Sequence, residues 1–215
     1  MRLILVRHGE TVANVNKFIQ GQTDGKLTEN GKEQARKLGL RLKDENISRI
    51  IASDLGRVRE TVAEITAFQK DIVPEFTPAM RERSTGILDG RHYEDYVAEY
   101  KKSSLGRFDY EPEGGESYRR FELRVKTFLD NLVSDMSAEA VYVPDTTVLL
   151  CAHGAFNKVF IALAMGKNME DIYDDIQQDN TCVNVFDFSV GKVPEIKLQL
   201  LNCTKHLGEN NGKNL

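Results

Sequence analysis

The stretch Arg2-Leu3-Ile4-Leu5-Val6-Arg7-His8-Gly9-Glu10-Thr11 carries four consecutive aliphatic residues and turns abruptly polar at Arg7. A short apolar run bounded in this way reads as a strand buried on both faces. The pattern recurs twice. Ile47 to Ala52 runs into Ser53-Asp54-Leu55-Gly56-Arg57, and Thr147 to Ala152 runs into His153-Gly154. Helical periodicities lie between these runs. Thr28 is placed to cap a helix reaching about Glu45, with Ala35, Leu38 and Leu42 on one face, although Gly31 leaves the capping box incomplete. Ser53 or Asp54 is placed to cap a helix carrying Val58, Val62 and Ile65, and Phe121, Val125, Phe128 and Leu132 mark a longer one. Phe156, Val159, Phe160 and Leu163 mark a helix after the third strand. Two strands near 182–189 and 194–201 close the chain as a hairpin through Gly191-Lys192, with Ile196, Leu198 and Leu200 on one face. Alternating strands and helices imply an α/β fold with a mostly parallel central sheet covered on both faces.

In such sheets ligands bind beyond the carboxyl ends of the strands. Parallel strands would therefore bring Arg7, His8, Arg57 and His153 to one edge. Two guanidiniums and two imidazoles at one mouth suit an oxyanion, because arginine binds phosphate bidentately through charge-assisted hydrogen bonds. The helix starts after Ser53 and after Gly154 would add N–H groups and partial positive charge. Gly9 and Gly154 would let the backbone approach a phosphoryl group closely. A histidine can be the nucleophile if one ring nitrogen is unprotonated, which requires the other to donate, here to a carbonyl near Gly9. Glu82 is the candidate general acid for the leaving alkoxide, held protonated by phosphate anions nearby. Spacing alone does not separate it from the many solvated glutamates. No carboxylate cluster is spaced for magnesium, so no metal and no cofactor are expected, and the arginines take the cation's place.

The chain has 215 residues, of which 40% are hydrophobic and 29% charged, which suits a globular domain. It reads as a single domain over residues 1–206, with a flexible tail over 207–215 rich in Asn, Gly and Lys. A net charge of -4 argues against nucleic acid and anionic membranes as partners but permits a small phosphorylated substrate in a local arginine pocket. Cys151, Cys182 and Cys203 are an odd number without a CxxC pair, so neither a disulfide framework nor a zinc site is expected. The first apolar run is too short for a signal peptide, and no run reaches the roughly 18 to 20 residues of a membrane span. A reducing, cytoplasmic setting is expected. His92 and His206 read as surface histidines. Lys101, Lys102 and Arg107 read as a solvated face, or as a lid over a distal substrate group.

Leu5-Val6-Arg7-His8-Gly9-Glu10-Thr11 resembles the signature of the histidine phosphatase superfamily, the phosphoglycerate mutase-like proteins. The resemblance continues through Asn14, Gln20-Gly21, Asp24 and Leu27-Thr28, then Ser53-Asp54-Leu55-Gly56-Arg57 with Thr61. It extends to Arg81-Glu82-Arg83 with Gly86 and Gly90, Gly114-Gly115-Glu116-Ser117 and His153-Gly154, all in family order. Glu60 departs from the usual Gln. The resemblance implies a three-layer α/β/α sandwich, a phosphohistidine on His8, and phosphoryl contacts from Arg7, Arg57 and His153. It further implies proton donation by Glu82, an entrance lined by Asn14, Gln20 and Gly21, and substrate contacts from Arg83 and Gly154. Thr85 and Tyr93 stand where the glycolytic mutases carry Tyr and Lys, and residues 94–112 are short, which favours a phosphatase acting on a sugar phosphate or related phosphomonoester. The modest likeness around Asn180-Thr181 and from Asn202 to Leu207 is to the fructose-2,6-bisphosphatase-like branch. The alternatives are a phosphoglycerate mutase and a non-catalytic phospholigand-binding module. Against the module stands the joint presence of His8, Arg7, Arg57, Glu82 and His153.

Overall fold

A computed structural model describes residues 1–69, 71–139, 145–190, 194–208 and 213–214. The first apolar run is strand β1 (Arg2–Arg7), followed by a single turn, α1 (Val12–Val15), and by α2 (Glu29–Leu42). Then come β2 (Ile47–Ser53), α3 (Gly56–Thr66), β3 (Glu75–Thr77), α4 (Tyr93–Lys102) and the long α5 (Tyr118–Glu139). The chain continues through β4 (Thr147–Ala152), α6 (Gly154–Ala164), α7 (Met169–Ile172), β5 (Val183–Ser189), β6 (Glu195–Cys203) and β7 (Lys213–Asn214).

The sheet order is β3-β2-β4-β1-β5-β6-β7. Strands β3, β2, β4 and β1 run parallel, with Arg7 opposite Ala152; β5 runs against β1, and β6 and β7 alternate after it. Side-chain alternation along β1 splits the core in two. Leu3 and Leu5 pack on one face with Phe121 and Val125 of α5 and Phe156 and Phe160 of α6. Ile4 and Val6 pack on the other with Leu38 and Leu42 of α2 and Val58, Val62 and Ile65 of α3. The protein is thus a three-layer α/β/α sandwich with a mostly parallel central sheet. Each such fully enclosed aliphatic side chain contributes about 1.5–3 kcal/mol, so helices on both faces are firmly held.

Several local expectations change. Thr28 caps α2 as read, accepting from the Gly31 amide at 2.9 Å. Neither Ser53 nor Asp54 caps α3. Its N-cap is Leu55, without a side-chain bond, and the Gly56 amide instead donates to Asp24 Oδ1 at 3.0 Å. In β6 the even alternation fails, because the register against β5 shifts between Val185 and Phe186. Leu198 therefore packs on the α5/α6 side and Leu200 on the α2/α3 side. The turn expected at Gly191-Lys192 lies outside the described residues. Of the tail expected from 207, residues 209–212 and 215 also lie outside them, while Lys213–Asn214 pair with Leu200 and Leu201. Among the described residues no helix is long and apolar enough to cross a membrane.

Candidate active site

The parallel strands β1, β2 and β4 end at the same edge of the sheet, and Arg7, His8, Arg57 and His153 meet there. His8 is buried, and its Nδ1 lies 2.7 Å from the Gly9 carbonyl oxygen. A carbonyl only accepts, so Nδ1 carries the proton and Nε2 keeps its lone pair. Burial, with Arg57 and Arg7 adding repulsion, holds the His8 imidazole well below the ordinary histidine range. His8 is therefore neutral at physiological pH, with Nε2 free of a proton. The backbone around it is pinned: Gly9 N donates to Thr61 Oγ1 at 3.0 Å, and the His8 carbonyl accepts from Asn180 Nδ2 at 3.1 Å.

Arg57, on the first turn of α3, is also buried. Its Nη1 and Nη2 donate to the carbonyls of Thr23 and Gly21, each at 2.9 Å, and its Nε donates to His153 Nδ1 at 3.2 Å. Burial lowers the guanidinium to about 10, which leaves it cationic at neutral pH. Because His153 Nδ1 accepts, its Nε2 carries the proton and donates to Ser53 Oγ at 2.8 Å. Both ring nitrogens of His153 thus engage protein groups. Its ring sits 5.3 Å from that of His8 in an edge-to-face arrangement. Arg7 donates through Nη1 to the Gln178 carbonyl at 2.6 Å, while its buried Nε has no partner. A buried N–H without an acceptor costs about 1–3 kcal/mol, a penalty that an anion beside it removes.

Arg7, His8 and Arg57 open into a cavity of about 210 Å³ lined also by Glu82, Arg83 and others, and the fully buried His153 is not among its lining residues. Three guanidiniums face one carboxylate among its lining side chains, so a positive pocket forms on an acidic protein. Glu82 reaches it from the loop between β3 and α4. Its Oε1 accepts from Arg83 N at 2.8 Å and its Oε2 from Ala155 N at 3.0 Å. Arg124 of α5, unremarkable in sequence, holds that loop in place. It donates to the carbonyls of Ala79, Arg81 and Glu82 at 2.9–3.2 Å and grips the Glu116 carboxylate at 2.8 and 2.9 Å. Asp54, freed from capping, forms a bidentate pair with Arg81 at 2.7 Å.

The remaining expected residues divide. Asn14, Gln20, Gly21 and Arg83 line the cavity. Asn14 Oδ1 accepts from Thr11 N and Asn180 Nδ2, and Gln20 Nε2 donates to Thr11 Oγ1. Gly21 has φ of +50, and a Cβ there would fall 1.9 Å from Asp89 Oδ1. Gly154 is not among the lining residues, and a Cβ on it would make only ordinary contact with Arg7 at 3.5 Å or more. Its neighbour Ala155 lines the cavity, with its amide bound to Glu82. Gly9 is needed for packing: a Cβ there would lie 2.5 Å from the Gly31 carbonyl oxygen. Sequence reasoning also missed Phe18, Ile19, Tyr93, Tyr96 and Tyr118, which line the cavity. Their apolar character was visible, but their convergence depends on loops with no periodic signal. Lys101, Lys102 and Arg107 do not line it. Among the described residues no group of three or more His, Cys, Asp or Glu is placed to hold a metal ion.

The sequence matches the profile of the histidine phosphatase superfamily (branch 1) over residues 3–203. A probable phosphoglycerate mutase of Erwinia tasmaniensis is 34% identical over 171 residues, 77% of this chain and 75% of that protein. A broad-specificity phosphatase of Saccharomyces cerevisiae is 28% identical over 97% of this chain and 88% of its own length. Among solved structures, the alpha-ribazole phosphatase of Shigella flexneri superposes with a TM-score of 0.79 at 26% identity, covering 95% of this chain and 97% of that one. The profile spans β1 to the end of β6 and so takes in all the strand ends that build the cavity. The chain belongs to the histidine phosphatase superfamily, branch 1.

Proposed function

We propose that this protein is a phosphatase that hydrolyses a small phosphorylated metabolite through a phosphohistidine on His8. The observation that carries the reading is the His8 Nδ1–H bond to the Gly9 carbonyl, which leaves an unprotonated Nε2 in a cavity that Arg7 and Arg57 also line. In the first step Nε2 attacks phosphorus in line, the bond from phosphorus to the ester oxygen breaks, and Glu82 donates its proton to the departing alkoxide. In the second step water attacks the phosphohistidine. Glu82 takes a proton from that water, the P–N bond breaks, and neutral His8 and inorganic phosphate are regenerated. Arg7 and Arg57 stabilise the equatorial oxygens throughout. His153 is a positioning residue that fixes Arg57 through Nε.

The domain carrying this activity is residues 1–206, acting in the cytoplasm on a free small molecule and not on nucleic acid. The name of the Erwinia relative favours a second reading, mutase activity, which the same assay covers. The protein is incubated with p-nitrophenyl phosphate, with phosphosugars and with 3-phosphoglycerate in EDTA. The expected outcome is phosphate release that His8→Ala reduces by at least about 10³-fold while far-UV circular dichroism is unchanged. Isomerised phosphoglycerate without net phosphate release supports the mutase instead, and equal release by wild type and His8→Ala removes the nucleophile assignment.

A further inference from the structure

The cavity has two unlike ends. At its floor stand Arg7, His8 and Arg57. Away from the floor its wall is made by Phe18, Ile19, Tyr93, Tyr96 and Tyr118, with Arg83 among them. Phe18 and Tyr93 are 37% and 47% exposed at the mouth, although each is a large apolar surface that water solvates poorly. Their segments lie side by side: Phe18 pairs with His92, the residue before Tyr93, and packs its ring 4.4 Å from the imidazole. Behind them Tyr96 is fully buried, its ring 6.0 Å from that of Tyr93 at 31°.

Three cations near this wall are already engaged. Arg83 is the wall's only guanidinium. Its carbon lies 4.8 Å from the centre of the Tyr96 ring and 4.2 Å from that of Tyr118, and its Nη1 donates to the Glu116 carbonyl at 2.7 Å. Arg107 is clamped by both oxygens of Asp174 at 3.0 Å and packs over Phe108, Tyr118 and Tyr173. Lys102 pairs with Glu99 at 2.7 Å on the solvent side of α4. One sandwiched guanidinium can counter a single negative charge. Among the described residues no other cation lines this part of the cavity, and burying a second phosphate dianion against tyrosine rings is costly.

We propose that the preferred substrate is a monophosphate ester whose leaving group presents an aromatic ring to Phe18 and Tyr93 at the rim of the cavity, and not a bisphosphate. The proposal rests on the phosphatase reading of the same site. Stacking and burial of one aromatic face at such a wall is worth about 10- to 50-fold in kcat/KM.

The test compares alkyl esters whose leaving alcohols have similar acidity, so that chemistry does not mask recognition. Phosphate release is measured from 2-phenylethyl phosphate, ethyl phosphate, glycerol 3-phosphate and fructose 1,6-bisphosphate. The 2-phenylethyl ester is expected to exceed the ethyl ester by about 10-fold or more in kcat/KM, mainly through KM, with the bisphosphate the poorest. Tyr93→Ala is expected to cut that preference several-fold, and Tyr93→Phe to keep it, since the ring and not the hydroxyl makes the surface. His8-dependent release that shows no preference for the phenyl ester, or favours the bisphosphate, overturns this proposal and leaves the phosphatase reading standing. If no ester is hydrolysed, the phosphatase reading fails, and calorimetric titration of the wild type with the phenylethyl and ethyl esters still reads the wall. Equal affinities then overturn the proposal, and a 10-fold preference sustains it.

Discussion

Lowering the pH from about 7 to about 5 is expected to destabilise the fold steeply, before its ion-paired carboxylates titrate. His8 and His153 are both enclosed and both held well below the ordinary histidine range, by burial first and by Arg57 next. The unfolded chain has no such constraint, and its histidines titrate near about 6.5. As pH falls below that value the unfolded state binds protons that the folded state refuses. Stability is therefore full above the unfolded pKa and is lost as pH drops toward the folded one. Each histidine contributes about 2 kcal/mol between pH 7 and 5, so the pair contributes about 4 kcal/mol. His206, pushed down to about 4 mainly by burial, acts in the same direction. Asp54 and Glu75, held down by Arg81 and Arg49, lose their contributions only at lower pH. A loss of about 4 kcal/mol is a large share of a typical stability of about 5–15 kcal/mol. With an m-value of about 2 kcal/mol/M, the urea midpoint should fall by about 2 M. Far-UV circular dichroism is the suitable probe, since the chain contains no tryptophan. His8→Gln should shrink the fall by roughly a third, since His153 and His206 still contribute. A midpoint that is flat, or that rises on acidification, would show that these imidazoles are not held neutral, and the nucleophile's protonation state would have to be rethought.

Two further outcomes follow from the same geometry. Glu82→Gln should depress turnover of alkyl phosphates by about 10²–10⁴-fold but nitrophenyl phosphate far less, because nitrophenolate leaves without a proton; equal losses in steady-state assays would remove the acid role. Gly9→Ala should cost about 3 kcal/mol in urea unfolding, because its Cβ would meet the Gly31 carbonyl at 2.5 Å; a variant as stable as wild type would show that the β1–α2 contact yields.

The parts of the fold that sequence reasoning reached are those where burial writes a period into the chain. Strands β1, β2 and β4 are nearly uninterrupted aliphatic runs because helices cover both of their faces, and α2, α5 and α6 carry stripes at helical spacing. Strand β3 has three residues and no pattern to read. Helix α4 turns a single fully buried side chain, Tyr96, inward, so its signal is almost entirely polar. The strand-end rule was enough to bring Arg7, His8, Arg57 and His153 together. It could not reveal which way an imidazole faces. That His153 is bonded to Ser53 and Arg57 depends on ångström-scale placement of three elements. The support of Glu82 by Arg124 was hidden for another reason. One arginine on a long amphipathic helix looks like any solvated residue until the helix is docked.

The two ends of the cavity are attached to different parts of the chain. Arg7 and His8 hang from the end of β1 and Arg57 from the first turn of α3, whereas Glu82, Tyr93 and Tyr96 arrive on the long excursion between β3 and α5. Substitutions in that excursion can reshape what departs without disturbing what attacks. Reaction type and substrate choice are therefore separately inheritable traits of one scaffold, and a family built this way can diversify its diet while its chemistry stays put.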